Sequence, residues 1–198
     1  MRIGSEPAAE LWLVRHGETE WSASGRHTSR TDVELTEAGR RDAAALRARL
    51  LGLDFARVLT SPRRRARVTA DLAGFGDRAE EAQDLVEWDY GRDEGLTTPE
   101  IRRDRPGWSV WRDGPLGGES AEDVRRRVDR VVALALAVER PVLAFSHGHL
   151  CRAIGARWIG LDVADGARLK VAAGAICVLG HERDTPAVER WNDTGHLA

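Results

Sequence analysis

Short apolar runs alternate with stretches whose apolar residues recur every three or four positions. Leu11-Trp12-Leu13-Val14, Arg57-Val58-Leu59, Val142 to Phe145, Ala175 to Leu179 and Val188 to Trp191 are continuous enough, and rich enough in branched side chains, to predict strands. Between them the spacing turns helical. Thr36 is placed to cap a helix reaching about Leu51, with Ala43, Leu46, Leu50 and Leu53 on one face. Ser61 as N-cap with Pro62 in the first turn predicts a helix to about Gly74. Thr98-Pro99 opens a short helix, Ser120 caps a long one carrying Val124, Val128, Val131 and Val138, and another runs from about His149 to Ile159. Strands alternating with helices predict an α/β fold of three layers, a mostly parallel sheet flanked by helices.

The strand ends carry the chemistry. Leu11 to Val14 runs into Arg15-His16-Gly17, and Val142 to Phe145 runs into Ser146-His147-Gly148-His149. Open α/β sheets bind ligands beyond the carboxyl ends of their strands, so both histidines fall where a site is expected if the strands are neighbours. Arginine offers a fixed fork of donors and glycine admits close backbone approach, which suits an anion. The third strand leads into Ser61-Pro62-Arg63-Arg64-Arg65-Ala66, where a helix N-terminus would favour an anion and place Arg65 one turn in. A solvated basic face is the plainer reading of that arginine run.

Leu85 to Gly95, LVEWDYGRDEG, has glycines at intervals that suit neither helix nor strand and reads as a shaped loop. An acid held against Trp88 could keep its proton near neutral pH, as a general acid must, whereas a surface loop would merely solvate it. The segment 88–118, rich in Trp, Pro, Gly and charge, is expected to be a small insertion roofing the site within a single domain spanning 1–198. Trp88, Trp108 and Trp111 would either wall that site or pack the insertion's own core.

Composition narrows the classes. A chain of 198 residues can bury about 70% of its unfolded surface, and its formal charge of −2 provides no basic field for general nucleic-acid binding. Cationic charge is almost all arginine, with Lys170 the only lysine. Cys151 and Cys177 form neither a metal pattern nor a disulfide framework and read as small core residues. The polar opening MRIGSEPAAE has no secretory apolar core, and no apolar run approaches membrane-spanning length, so a cytoplasmic protein is expected.

The ordered series RHGETEW, GRHTSRTDVELTEAGR, SPRRRARVTA, LVEWDYGRDEG, GGESAEDV, FSHGH and WNDTGHL resembles the histidine phosphatase superfamily, the phosphoglycerate mutase-like family, over nearly the whole chain. The resemblance implies a nucleophile at His16, phosphate-pocket residues at Arg15, Arg65 and His147, and a proton donor at Glu87. Thr28 would add a hydroxyl or amide to the pocket, or be an ordinary loop residue. Many relatives carry Asn where this chain has Ser22; the shorter hydroxyl is left out of the site.

These residue types fit phosphoryl transfer. A phosphate monoester repels anions, so a neutral imidazole inside a cationic cradle is a suitable nucleophile. A guanidinium roughly 4 Å from the phosphoryl charge contributes about 4 kcal/mol of attraction at an effective dielectric near 20, before desolvation. An acid such as Glu87 protonates the leaving alkoxide, and no metal or other cofactor is called for. Trp88 stands where mutases of the family have Arg, and the segment after Gly95 is short, which resembles the branch of sugar-bisphosphatases and actinobacterial broad-specificity acid phosphatases. Hydrolysis of small phosphate monoesters, sugar phosphates or related metabolites, is therefore expected over mutase-type transfer or an inactive phospho-ligand-binding scaffold. In that branch an Arg after His-Gly-His engages a distal phosphate; Arg152 matches it, or is a helix-surface residue. The expected partner is a small-molecule phosphate ester, with no nucleic acid and no membrane; the sequence leaves a homodimer open.

Overall fold

Six strands form one mixed sheet in the order β3-β2-β4-β1-β5-β6. The computed structural model describes residues 9–197; the polar opening stretch falls largely outside them. The strands are β1 (Leu11–Arg15), β2 (Arg57–Thr60), β3 (Ala79–Glu81), β4 (Val142–Ser146), β5 (Ile176–Glu182) and β6 (Thr185–Asp193). β1–β4, β4–β2 and β2–β3 pair in parallel, while β5 and β6 add antiparallel at one side. The expected α/β architecture is therefore present. The helices are α1 (Glu20–Ala23), α2 (Glu37–Leu50), α3 (Arg64–Leu72), α4 (Thr98–Asp104), α5 (Val110–Asp113), α6 (Ala121–Leu136) and α7 (Gly148–Trp158).

Both faces of the central strands are covered, which is why they read as apolar runs rather than alternating ones. Leu11 and Leu13 pack with Val124, Val128 and Val131 of α6 and Leu150 and Ile154 of α7. Val14 and Phe145 pack on the other face with Leu46 and Leu50 of α2, Ala70 of α3, Phe55 and Phe75. Truncating a side chain such as fully buried Leu13 to Ala costs about 2–5 kcal/mol. The connection after β1 leads to α2 on one face and that after β4 to α7 on the other, which opens a crevice beyond the two strands.

Thr36 caps α2 and Ser120 caps α6 through side-chain bonds to Gly39 N and Asp123 N, as the sequence predicts. Leu53 instead lies beyond the end of α2 and is exposed. The helix expected to start at Ser61-Pro62 starts later, with Arg63 as N-cap. Ser61 N still donates to Phe145 O at 2.9 Å, so the chain stays extended past β2, and the Ser61 hydroxyl is engaged elsewhere. Segment 88–118 contributes Trp88, Tyr90, Ile101, Trp108, Val110 and Trp111 to the core cluster that includes α6 and α7. No helix among the described residues is long and apolar enough to cross a membrane.

Candidate active site

The β1–β4 register ends with Arg15 opposite Ser146, so the next residues, His16 and His147, meet over one edge of the sheet. His16 N extends the ladder to Ser146 O at 2.9 Å, and the two imidazole centroids lie 5.2 Å apart. His16 Nδ1 is 2.7 Å from Gly17 O. A carbonyl only accepts, so Nδ1 carries the proton and Nε2 keeps its lone pair. Burial first, then the Arg65 and Arg15 charges, hold the His16 pKa well below the ordinary histidine value. The ring is neutral at neutral pH.

His147 is fixed in the opposite tautomer. Arg65 Nε, which can only donate, is 3.2 Å from His147 Nδ1, so the proton sits on Nε2 and is donated to Ser61 Oγ at 2.8 Å. Burial, Arg65 and His16 keep this imidazole neutral as well.

The two arginines differ in what they leave for a ligand. Arg15 donates from Nη1 to Val171 O at 2.7 Å, while its buried Nε has no partner. It lies against Gly148, where a Cβ would come within 3.3 Å of that Nε. Arg65 is fully buried and clamps a loop: besides His147, it donates to Thr31 O, Thr28 O and Ser29 O at 3.0, 3.1 and 3.2 Å.

Both helix starts near the site already hold protein carboxylates. Arg64 N of α3 donates to Asp32 Oδ1 at 2.8 Å, which corrects the expectation of a free anion site there. At the start of α7, His149 N and Leu150 N donate to Glu87 at 3.0 Å each, and Trp88 N adds a third bond at 2.9 Å. Trp88 therefore meets Glu87 through its backbone; its indole donates to Glu119 O.

A cleft of about 230 Å³ brings Arg15, His16, Thr28, Glu87 and Arg152 together. Arg65 and His147 stand behind its wall rather than on it. The Thr28 hydroxyl donates to Arg26 O, and Ser22, which also faces the cleft, has its hydroxyl engaged with the N-cap of α1, accepting from Thr19 N and donating to Thr19 O. Arg152 lies over the Trp111 ring at 4.6 Å and donates to Gly166 O and Ala167 O. Trp88 and Trp111 stack edge to face at 5.5 Å; Trp88 is core packing, whereas Trp108 and Trp111 also line a second cavity that shares His27, Thr98, His149 and Arg152 with the cleft.

Sequence reasoning did not single out Arg26, His27, Tyr90, Thr98 and His149, which complete the cleft. Tyr90 Oη and His149 Nδ1 are 2.6 Å apart, and the His27 ring lies 4.6 Å from that of Tyr90. The second histidine of FSHGH, two residues after His147 at the same strand end, was the available signal for His149. Burial lowers His27 to about 4 and pushes Tyr90 well above the ordinary tyrosine value. Among the described residues, no group of three or more His, Cys, Asp or Glu is arranged to hold a metal ion. The cleft brings a neutral nitrogen nucleophile, donors for an anion and a carboxyl for proton transfer within reach of one another.

The profile of the histidine phosphatase superfamily, branch 1, matches residues 11–194. An acid phosphatase of Mycobacterium tuberculosis is 47% identical over 191 residues, covering 94% of this chain and 93% of the relative. A sedoheptulose 1,7-bisphosphatase of Saccharomyces cerevisiae is 36% identical, covering 76% and 68%. The solved structure of a Mycobacterium tuberculosis open-reading-frame product superposes with a TM-score of 0.90 at 46% identity, covering 94% of this chain and 98% of that one.

Proposed function

The chain belongs to branch 1 of the histidine phosphatase superfamily and is an acid phosphatase of that superfamily, and on that premise we propose that it hydrolyses small phosphate monoesters through a phosphohistidine on His16. The observation that carries this reading is the company His16 keeps. Its unprotonated Nε2 shares one cleft with the carboxyl of Glu87 and with Arg15, whose Nε has no protein partner.

In the first step His16 Nε2 attacks phosphorus, the bond from phosphorus to the ester oxygen breaks, and Glu87 gives its proton to the departing alkoxide. In the second, Glu87 takes a proton from water, the water oxygen bonds to phosphorus, and the P–N bond breaks to restore His16 and release orthophosphate. Arg15 steadies the phosphoryl oxygens directly. Arg65, held in place by His147, supplies the positive charge behind them, and only contacts that tighten in the transition state raise the rate.

Sugar phosphates and related metabolites are the proposed substrates. Beyond the phosphoryl end, the cleft offers Thr98, Tyr90, His149 and Arg26, donors and acceptors suited to a leaving group rich in hydroxyls. Arg152 donates from Nε and Nη2 to carbonyls while Nη1 has no protein hydrogen bond among the described residues, which suits a distal anion. Segment 88–118 supplies Tyr90 and Thr98 and acts as the substrate-facing roof of the domain.

Purified protein containing EDTA is to be assayed for orthophosphate release from p-nitrophenyl phosphate, sugar mono- and bisphosphates, phosphoglycerates and nucleotides. Turnover with sugar phosphates preferred is the expected result. No release from any of them between pH 5 and 7.5 would overturn the reading, and loss of Arg152→Ala activity equally on mono- and bisphosphates would remove the distal role.

A further inference from the structure

We propose that Thr69 is a positioning residue for His16, its hydroxyl fixing the Gly17 backbone whose carbonyl holds the imidazole in the Nδ1-protonated tautomer. The proposal rests on His16 being the nucleophile. Thr69 is fully buried on α3, and its Oγ1 lies 3.0 Å from Gly17 N and 2.7 Å from Arg65 O. The directions are forced. An amide only donates and a carbonyl only accepts, so the hydroxyl accepts from Gly17 and spends its single proton on Arg65.

Position 17 needs this restraint because it must be glycine. A Cβ there would stand 2.3 Å from Gly39 O, so a side chain is excluded, and with it goes the steric restriction that would fix the backbone. Gly17 is therefore held from outside: the α2 backbone at Gly39 bears on one side, and the Thr69 hydroxyl takes the amide on the other. The Gly17 carbonyl is thereby kept 2.7 Å from His16 Nδ1. A rotation that released it would free the ring to take the other tautomer, with the proton on the attacking nitrogen.

A helical threonine bonding back to the carbonyl four residues earlier is common and by itself means little. The bond to Gly17, 52 residues away in sequence, is what distinguishes Thr69. It also ties the nucleophile loop to the helix that carries Arg65, whose Nε sets the tautomer of His147. One hydroxyl thus links the protonation patterns of both imidazoles.

The test uses 15N-histidine-labelled protein, with His16 assigned by His16→Ala. In the wild type the His16 shifts should show a protonated Nδ1 and an unprotonated Nε2. Thr69→Val, isosteric but unable to accept or donate, should mix the two tautomers and slow phosphohistidine formation in rapid quench by about tenfold or more. KM should stay within ~3-fold, and Thr69→Ser should restore both readouts. Thr69→Val with wild-type tautomer and rate would overturn the proposal. If that variant does not fold, a wild-type His16 protonated at Nε2 would overturn it, and one protonated at Nδ1 with Thr69→Ser active supports it. Failure of the parent reading looks different: turnover retained in His16→Ala, whatever the tautomer.

Discussion

His16 and His147 occupy equivalent positions, each one residue beyond a paired strand end, and their rings stand 5.2 Å apart with opposite nitrogens protonated. One ring is left free to attack and the other is locked by Arg65 and Ser61. His147→Ala should therefore leave the nucleophile in place but remove the acceptor that orients Arg65 Nε, releasing that guanidinium. kcat/KM is expected to fall about a hundredfold or more, chiefly in kcat, in steady-state assays. A change confined to KM would assign His147 to substrate binding alone.

Glu87 is best tested by leaving group. Replacing it with Gln puts an amide NH₂ against at least one of three backbone N–H groups, so about 1–3 kcal/mol of stability should be lost in urea unfolding. Turnover of an alkyl phosphate should fall about 10²–10⁴-fold, while p-nitrophenyl phosphate, whose phenolate departs without a proton, should suffer far less. Equal losses on both would contradict a proton donor.

Four histidines held low in the folded chain make stability depend on pH in one direction. His27 is lowered to about 4, and His16, His147 and His149 are held well below the ordinary value, by burial first in each case. Between about pH 6.5 and the folded values, the unfolded chain binds protons the folded one does not, so stability drops as pH falls, by up to about 1.4 kcal/mol per pH unit for each group. Urea midpoints should decline from pH 7 to pH 5, and His27→Gln should make the decline shallower by about 1–2 kcal/mol. Activity should survive this range, because His16 stays unprotonated at Nε2; kcat/KM collapsing as pH passes 6.5 would contradict it.

Gly39→Ala probes the scaffold at a residue outside the cleft. Its Cβ would meet Glu18 O at 2.2 Å and Glu18 N at 2.5 Å, both backbone atoms. The loop after His16 must shift, with an expected loss of about 1–3 kcal/mol and a lower kcat. A stable, fully active variant would show that the loop's placement is not critical.

Much of this arrangement could be read from the chain. The doubly buried strands leave apolar runs, and the two His-Gly pairs mark the ends that meet. The rest depends on partners remote in sequence. Ser61 reads as a cap, yet His147, 86 residues on, takes its hydroxyl and the helix starts later. β3, Ala-Glu-Glu, is an exposed edge with no apolar pattern, and α1 buries no residue, so neither leaves a periodic trace. Arg65 was legible as cationic, but not as a clamp on the carbonyls of residues 28–31. His27 and Tyr90 gained meaning only when folding placed their rings together.

The most direct test is to trap the intermediate. Wild-type protein mixed with 32P-labelled substrate and quenched in alkali within milliseconds should carry one base-stable, acid-labile phosphoryl group that maps to His16 and is absent from His16→Ala. Label on another residue, or wild-type turnover by His16→Ala, would contradict the account.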